Sequence, residues 1–588
     1  MSKTILSEAI DMNDVTSDIE EEELDHDYIV SDHSTESELT CSDDDDDNPI
    51  PTDSRTSSTP IPLTFGASSS GTVTSKTFYG KNNCYKWVST PASRGRTLAS
   101  NIIMHLPGLK GDAKKVTDQS PMTFWNLLMT QEMLGEILRR TNEKMASVQI
   151  KPGSKLSYIG KTDLIELKAV IGLLYLSAIS KSNHEDFRGL YATDGTGRSI
   201  FPATMSMKRL LFILLCLRFD DGTTRCERVK TDKSAAISWL FNSFINNCQA
   251  NISIGEYATV DEMLVGFRGR CGFRMFIKSK PRKYGIKIFI MTDARTHYCL
   301  NAKIYTGKDK EPNPPKALLK STQVVLELVK PIENTNRNLT GDNWFTSIQL
   351  VEELRKKKIT YVGTMNKVKK EIPPEFKPHK NREAKSVLYG YAGLNTLISY
   401  VPKVKRAVVL LSTMHHQPGH DEEVDKPEIV SFYNMTKGGV DALDQKCANY
   451  STSRRTQRWP MAIFYAILDI SGVNSHILQN STIVPTKMDR RTFLHSLGMS
   501  LIREHMERRL TVPTLRKDLK ISINQILGIG TSAQQPQVPQ PQPPSLSKRK
   551  RCSICPSKND RKTSFACIKC NQPICLACAE KICPNCCK

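Results

Sequence analysis

The chain has 588 residues, is 39% hydrophobic and carries a formal net charge of +21. That length and apolar content suffice for several domains with their own cores, and the longest apolar candidate for a membrane span, around 169–180, is broken by Gly172 and Ser177. No basic-then-apolar leader opens the sequence, so secretion is not expected and the 17 cysteines are expected to stay reduced.

Residues 1–110 read as a disordered acidic tail, with acidic runs at 20–23 and 43–47 and few apolar residues. The first 55 residues hold nineteen Asp and Glu against Lys3 and Arg55, a net of −17, which leaves +38 on the remainder. A body that basic points to a polyanionic partner, nucleic acid above all. Ser42, followed by Asp43, Asp44 and Asp45, would suit an acid-directed kinase. The tail reads equally as a solubiliser or as a competitor of DNA for the basic body.

Helical periodicity dominates 111–255. Phe124, Leu127, Leu128, Leu134, Ile137 and Leu138 form one stripe, and Leu164, Leu167, Ile171, Leu174 and Tyr175 another. Leu210, Leu211, Ile213, Leu214 and Leu217 continue the pattern, as do Trp239, Leu240, Phe244 and Ile245. These are core faces. From 256 to 366 the texture changes: strands are predicted at 257–265, 284–292, 297–305, 338–342 and 359–364, with helices at 315–329 and 348–356. Three strands in a meander, then helix, strand, helix, strand, resembles the ribonuclease H-like α/β fold. Residues 367–427 read as an irregular basic insertion. Helical character resumes at 436–478 and 490–510, which places a second catalytic part at 428–450 and a second helical part at 451–530. Residues 531–551 form a Pro/Gln linker that ends in the basic cluster Lys548, Arg549, Lys550 and Arg551, a nuclear localisation signal or a phosphate-contacting arm.

The tail, 552–588, holds nine cysteines, eight of them in four Cys-x-x-Cys pairs: Cys552/Cys555, Cys567/Cys570, Cys575/Cys578 and Cys583/Cys586. Two such pairs close a tetrahedral zinc site, so eight thiolates predict two Zn²⁺ ions and a tail that folds on metal. The short second gap resembles cross-brace fingers, in which pairs one and three share one ion and pairs two and four the other. Cys587 is left over.

Asp261 lies in the first predicted strand of the core and Asp342 follows the fourth, which neighbours the first in a ribonuclease H-like sheet. Asp441 and Asp444 lie three apart on a later helix. Carboxylates on that frame suit two Mg²⁺ ions, about 3.5–4 Å apart, that clamp an in-line phosphoryl displacement. Taken singly, each Asp also reads as a cap or a surface acid.

The segments 261–270 (DEMLVGFRGR), 283–287 (KYGIK), 341–347 (GDNWFTS), 437–441 (KGGVD) and 458–460 (RWP) resemble those of piggyBac transposases, and the similarity runs from about Phe124 through the cysteine tail. The resemblance implies a cut-and-paste DNA transposase with Asp261, Asp342 and Asp441 as its catalytic, Mg²⁺-holding triad, Asp444 as a fourth acid, and Mn²⁺ able to substitute. It further implies a homodimer acting on terminal inverted repeats, hairpin intermediates and TTAA targets in double-stranded DNA. The flanking helical segments would be the dimerisation and DNA-binding domain, and the cysteine-rich tail the reader of terminal repeats. Arg268, Arg270, Arg274, Lys283, Lys287, Lys369 and Arg458 are candidate phosphate contacts, though some of those after Asp261 would only solvate an edge strand, and Trp459 reads equally as a base-stacking residue or a buried aromatic. Family members commonly carry Arg where Asn366 stands, and relatives can carry His where Cys578 stands. The whole reads as a multidomain α+β protein: a ribonuclease H-like core with an insertion, helical flanks and a cross-brace zinc finger. No membrane partner is expected, and the location is expected to be the nucleus. The rival is a non-catalytic DNA-binding descendant that keeps the fold; a lost acid would favour it, and none is lost.

Overall fold

The computed structural model describes residues 29–30, 75–92, 98–148, 158–278, 280, 282–307, 318–483, 487–529, 545–567 and 570–579. These fall into two compact units, one within 1–512 and one within 513–588.

The larger unit is built on a twelve-stranded sheet. In chain order its strands are β1 (Ile29–Val30), β2 (Thr77–Tyr79), β3 (Lys86–Val88), β4 (Tyr257–Gly266), β5 (Arg274–Phe276), β6 (Tyr284–Asp293), β7 (Cys299–Ile304), β8 (Asn338–Gly341), β9 (Thr360–Thr364), β10 (Val387–Ala392), β11 (Asn395–Lys403) and β12 (Arg406–Ser412). Its centre runs β7-β6-β4-β8-β9. β4, β6 and β7 pair antiparallel in succession, and β4, β8 and β9 run parallel. The expected neighbours, first and fourth strands of this core, are therefore paired. β6 is buried along nearly its whole length and β8 along all of it, as strands covered on both faces should be.

The longer helices among the described residues of this unit are α1 (Pro121–Leu128), α2 (Gln131–Ala146), α3 (Leu164–Ile179), α4 (Met207–Cys216), α5 (Ser238–Asn251), α6 (Lys320–Leu328), α7 (Ile348–Lys356), α8 (Glu428–Lys437), α9 (Gly439–Asn449), α10 (Trp459–Asn480) and α11 (Arg490–Leu510). Four of the first starts are fixed by side-chain caps: Ser120, Thr130, Asp163 and Ser206 each accept from a backbone N–H three residues on. The helices before the core and those after it form one bundle. Trp125 Nε1 on α1 donates to Tyr175 Oη on α3 at 3.0 Å, and that hydroxyl donates to the Leu468 carbonyl of α10 at 2.8 Å. α3 meets α11 at Gly172, where a Cβ would stand 2.6 Å from Ile502 Cγ2 and 2.9 Å from the Gly498 carbonyl. Glycine there lets two backbones approach that any larger residue would force apart.

Several sequence expectations are corrected. Residues 75–92 are not tail: β2 and β3 extend the central sheet, and Trp87 is fully buried with its Nε1 donating to the Glu371 carbonyl at 2.8 Å. An indole of that size supplies the apolar burial that the surrounding polar sequence lacks. Residues 367–427 are not irregular either, because β10, β11 and β12 continue the sheet from β9. Trp239 is 41% exposed rather than a core residue. α10 is long and apolar enough to cross a membrane by composition, but 94% of that stretch is buried inside the fold; it is the central helix of the bundle.

In the smaller unit, α12 (Lys517–Leu527) precedes a hairpin of β13 (Ser545–Arg551) and β14 (Lys562–Phe565). The basic cluster Lys548–Arg551 is thus a strand of the cysteine-rich region rather than the end of a linker. Arg551 pairs with Lys562 and Lys550 with Thr563. Residues 531–544 lie outside the described residues.

Candidate active site and cysteine centre

Register brings the acids together. β8 pairs with β4 through Gly341 opposite Val260, so the next residue, Asp342, leaves the strand level with Asp261. Asp342 turns the chain as it does so: its Oδ1 accepts from the backbone N–H of Trp344 at 3.0 Å and of Phe345 at 3.4 Å. Trp344 then stacks on Phe289 of β6, with ring centroids 5.2 Å apart and planes 7° from parallel.

The third acid comes from α9. α8 ends on the sheet through threonines: Thr259 Oγ1 donates to the Thr436 carbonyl at 2.5 Å, and Thr340 and Thr436 share a hydroxyl contact of 2.8 Å. The chain restarts as α9 at Gly439, whose Cβ, if present, would lie 2.6 Å from Thr292 Oγ1 and 2.9 Å from Thr259 Oγ1. Only glycine lets the first turn of α9 come this near β4 and β6. Asp441 lies in that first turn and Asp444 one turn on, half-buried.

Electrostatics shows the crowding. Burial, then repulsion from Glu262, Asp342 and Asp441, pushes the Asp261 carboxyl well above the usual range, with Lys280 working the other way. Burial and the charge of Glu262 raise Asp342 to about 7, against the two backbone N–H donors and Lys287. Burial also raises Asp444. Such a surplus of oxygen donors, partly buried at Asp261, Asp342 and Asp444 and exposed at Asp441, fits a hard divalent cation, which would relieve both the desolvation and the repulsion. Asp261, Asp342 and Asp441 are the residues that would hold it. Their oxygens are spread wider than the cysteine cluster described below, the one set of three or more such ligand atoms within 4.8 Å of each other among the described residues.

The basic candidates divide. Arg268, Arg270 and Lys283 are exposed, and Lys369 is half-buried. Lys287 is not a surface contact: its side chain is 1% exposed, 3.9 Å from the equally buried Glu262, and lies over the Phe289 and Trp344 rings. It faces inward because it pairs with Leu264 on the face of β4 that also carries Glu262. Arg274 is 6% exposed and donates to the carbonyls of Arg268 and Gly269 at 2.7 and 3.0 Å, holding the turn before β5. Arg458 is spent on the carbonyls of Leu214, Leu215 and Leu217 at the end of α4. Trp459 is half-buried with its ring edge against Phe273, at 5.1 Å. The sequence pattern says nothing of Glu262 and counts Lys280 only among the basic residues after Asp261 that would contact phosphate or solvate an edge strand, whereas its Nζ lies 3.5 Å from Asp441 Oδ1. The only signal for either is its place in the charged stretch that follows Asp261.

In the smaller unit Cys552, Cys555, Cys575 and Cys578 converge. Cys555 Sγ lies 3.6 Å from Cys575 Sγ and 3.5 Å from Cys578 Sγ. Four thiolates round a zinc at about 2.3 Å would sit about 3.8 Å apart, so this set fits the ion. Pairs one and three converge, which is one half of the cross-brace arrangement. Cys567 and Cys570 stand apart from the set, while Cys583 and Cys586 lie outside the described residues.

Comparison with known proteins agrees with this frame. The family profile described as Transposase IS4 matches residues 120–476. Over 401 residues the chain is 22% identical to the human PiggyBac transposable element-derived protein 2, covering 64% of each. Over 357 residues it is 22% identical to the human PiggyBac transposable element-derived protein 3, covering 58% of each. The chain thus spans less than two thirds of the length of these curated relatives. Among solved structures it is similar to a piggyBac transposase in a synaptic complex with hairpin DNA, seen by cryo-electron microscopy. That likeness has 34% identity and a TM-score of 0.68, and covers 82% of this chain and 100% of the other. The chain belongs to the IS4 transposase family and is of the piggyBac type.

Proposed function

We propose that the protein is a metal-dependent DNA transposase with a ribonuclease H-like catalytic core, which excises its element through hairpin ends and integrates it at TTAA. The observation that carries this reading is the convergence of Asp261 and Asp342 on paired parallel strands with Asp441 on the helix docked across them. Two Mg²⁺ ions, with Mn²⁺ able to replace them, would supply activation of the attacking oxygen and stabilisation of the leaving one. The chain's own contribution is to hold Asp261 and Asp342, partly buried, on the paired strands and Asp441 at the exposed start of the docked helix. Its exposed Arg268, Arg270 and Lys283 draw phosphates toward them. The cysteine-rich region, holding two Zn²⁺ ions, binds the terminal inverted repeats, and the basic strand Lys548–Arg551 serves as nuclear address or phosphate arm. A homodimer acting in the nucleus completes the reading, with the acidic N-terminal stretch open to an acid-directed kinase.

The test is an excision assay on a donor plasmid that carries the element's own terminal repeats. Wild type is expected to restore TTAA, while Asp342→Asn falls at least about a hundredfold, the order expected when a group acting on the transition state is lost. No excision by wild type, or equal excision by Asp342→Asn, overturns the catalytic reading and leaves a DNA-binding protein that keeps the fold.

A further inference from the structure

Between β5 and β6, Lys280 is half-buried beside the acid cluster while Lys278, Arg282 and Lys283 are exposed. Lys280 has a side chain 18% exposed. Its Nζ donates to the Glu262 carbonyl at 3.2 Å and lies 3.5 Å from Asp441 Oδ1. Burial opposes its charge, but Asp261, Asp441, Glu262 and Asp444 together outweigh that opposition. Asp441, by contrast, has a side chain 66% exposed. The ammonium therefore stands between the outer acid on α9 and the backbone of β4 beside Asp261, where it partly neutralises a site whose oxygens are spread wide. A metal ion and an ammonium attracted by the same carboxylates compete.

We infer that Lys280 is the resident counter-cation of the acid cluster, a positioning residue that holds Asp441 toward β4 in the metal-free protein and weakens metal binding by its charge. The inference rests on the metal-dependent reading proposed above. A loop lysine with a merely structural role predicts unchanged or weaker metal binding when it is replaced; a competing cation predicts tighter binding.

The probe is Mn²⁺ titrated into the full-length, zinc-loaded chain, with the free ion followed by its electron paramagnetic resonance signal. Lys280→Gln is expected to bind Mn²⁺ roughly 3- to 10-fold tighter than wild type, the order of one partly screened charge at this distance. Lys280→Arg, which keeps the charge, is expected to bind as wild type does. Melting temperatures on the same samples report the fold, and Lys280→Met carries the same test should the glutamine variant unfold. Equal or weaker binding by the folded neutral variant overturns the inference. Where wild type binds, Asp342→Asn does not, and Lys280→Gln matches wild type, only the role of Lys280 falls. Where wild type shows no binding that Asp342→Asn removes, the metal-dependent reading falls and this inference with it.

Discussion

Asp342 does two kinds of work with one side chain. Its Oδ1 accepts two backbone N–H groups and so shapes the turn that leads into Trp344, and the same carboxylate faces the acid cluster. Burial and Glu262 hold it at about 7. A carboxyl raised on folding binds its proton more tightly in the native chain than in the unfolded one. Without metal, stability therefore falls as pH rises from the ordinary carboxylate range through about 7. Asp342→Asn removes that residue's share of the dependence, while Asp261, Asp444 and Asp469, also raised by burial, keep theirs. Thermal denaturation in metal-depleted buffer should show wild type losing stability relative to the variant between about pH 5 and about pH 8. A difference that stays flat across that range would mean the carboxyl is not held in this way.

At the scale of elements, the site depends on how closely α9 approaches the sheet. Gly439→Ala would press a methyl group against Thr292 Oγ1 and Thr259 Oγ1. We expect it to cost about 1–3 kcal/mol of stability by overpacking and to lower excision about tenfold or more by shifting Asp441. Thr292 Oγ1 is buried with no hydrogen-bond partner, so Thr292→Ala removes one obstacle cheaply. The double variant should recover part of the activity; no recovery would show that the loss comes from something other than this contact. The same scale decides what the sequence makes legible. Amphipathic α7 and α11 have their expected bounds, Ile348–Lys356 and Arg490–Leu510, because polar and apolar faces alternate with the helical period. β11 and β12 escape notice because both their faces are buried and no alternation of period two survives. β2 and β3 are three residues each and are held by long-range partners, Phe78 by Phe376 and Trp87 by Glu371. The neighbouring positions of Asp261 and Asp342 are legible through strand order, and Asp441 and Asp444 on one helix through their spacing. The Glu262–Lys287 pair is not, since inward or outward direction along a charged strand is set by pairing register rather than by residue type, and neither is Lys280, which lies between strands where no residue pattern fixes its direction.

On the scale of the whole molecule, the two compact units are expected to have separate sources of stability. The larger one carries a continuous apolar bundle and sheet. Among the described residues of the smaller one the buried side chains are few: Ile523, Leu527, Cys552, Thr563, Ala566 and Cys575. So small a core does not hold a fold without a staple, and the converging thiolates of Cys552, Cys555, Cys575 and Cys578 offer one through zinc. Cys555→Ser in the full-length chain should therefore lower the zinc content and abolish the zinc-dependent part of the unfolding profile. The main calorimetric transition, belonging to the larger unit, should stay where it is. Binding of a terminal-repeat duplex should weaken at least about tenfold, since a reading head that is unfolded for most of the time loses affinity in proportion. Mn²⁺ binding at the acid cluster, measured on the same protein, should be unchanged. Loss of the main transition would show that the larger unit needs the zinc-bound one to fold. Intact duplex binding with zinc gone would assign end recognition elsewhere, leaving the exposed arginines and lysines beside the acids as its candidates.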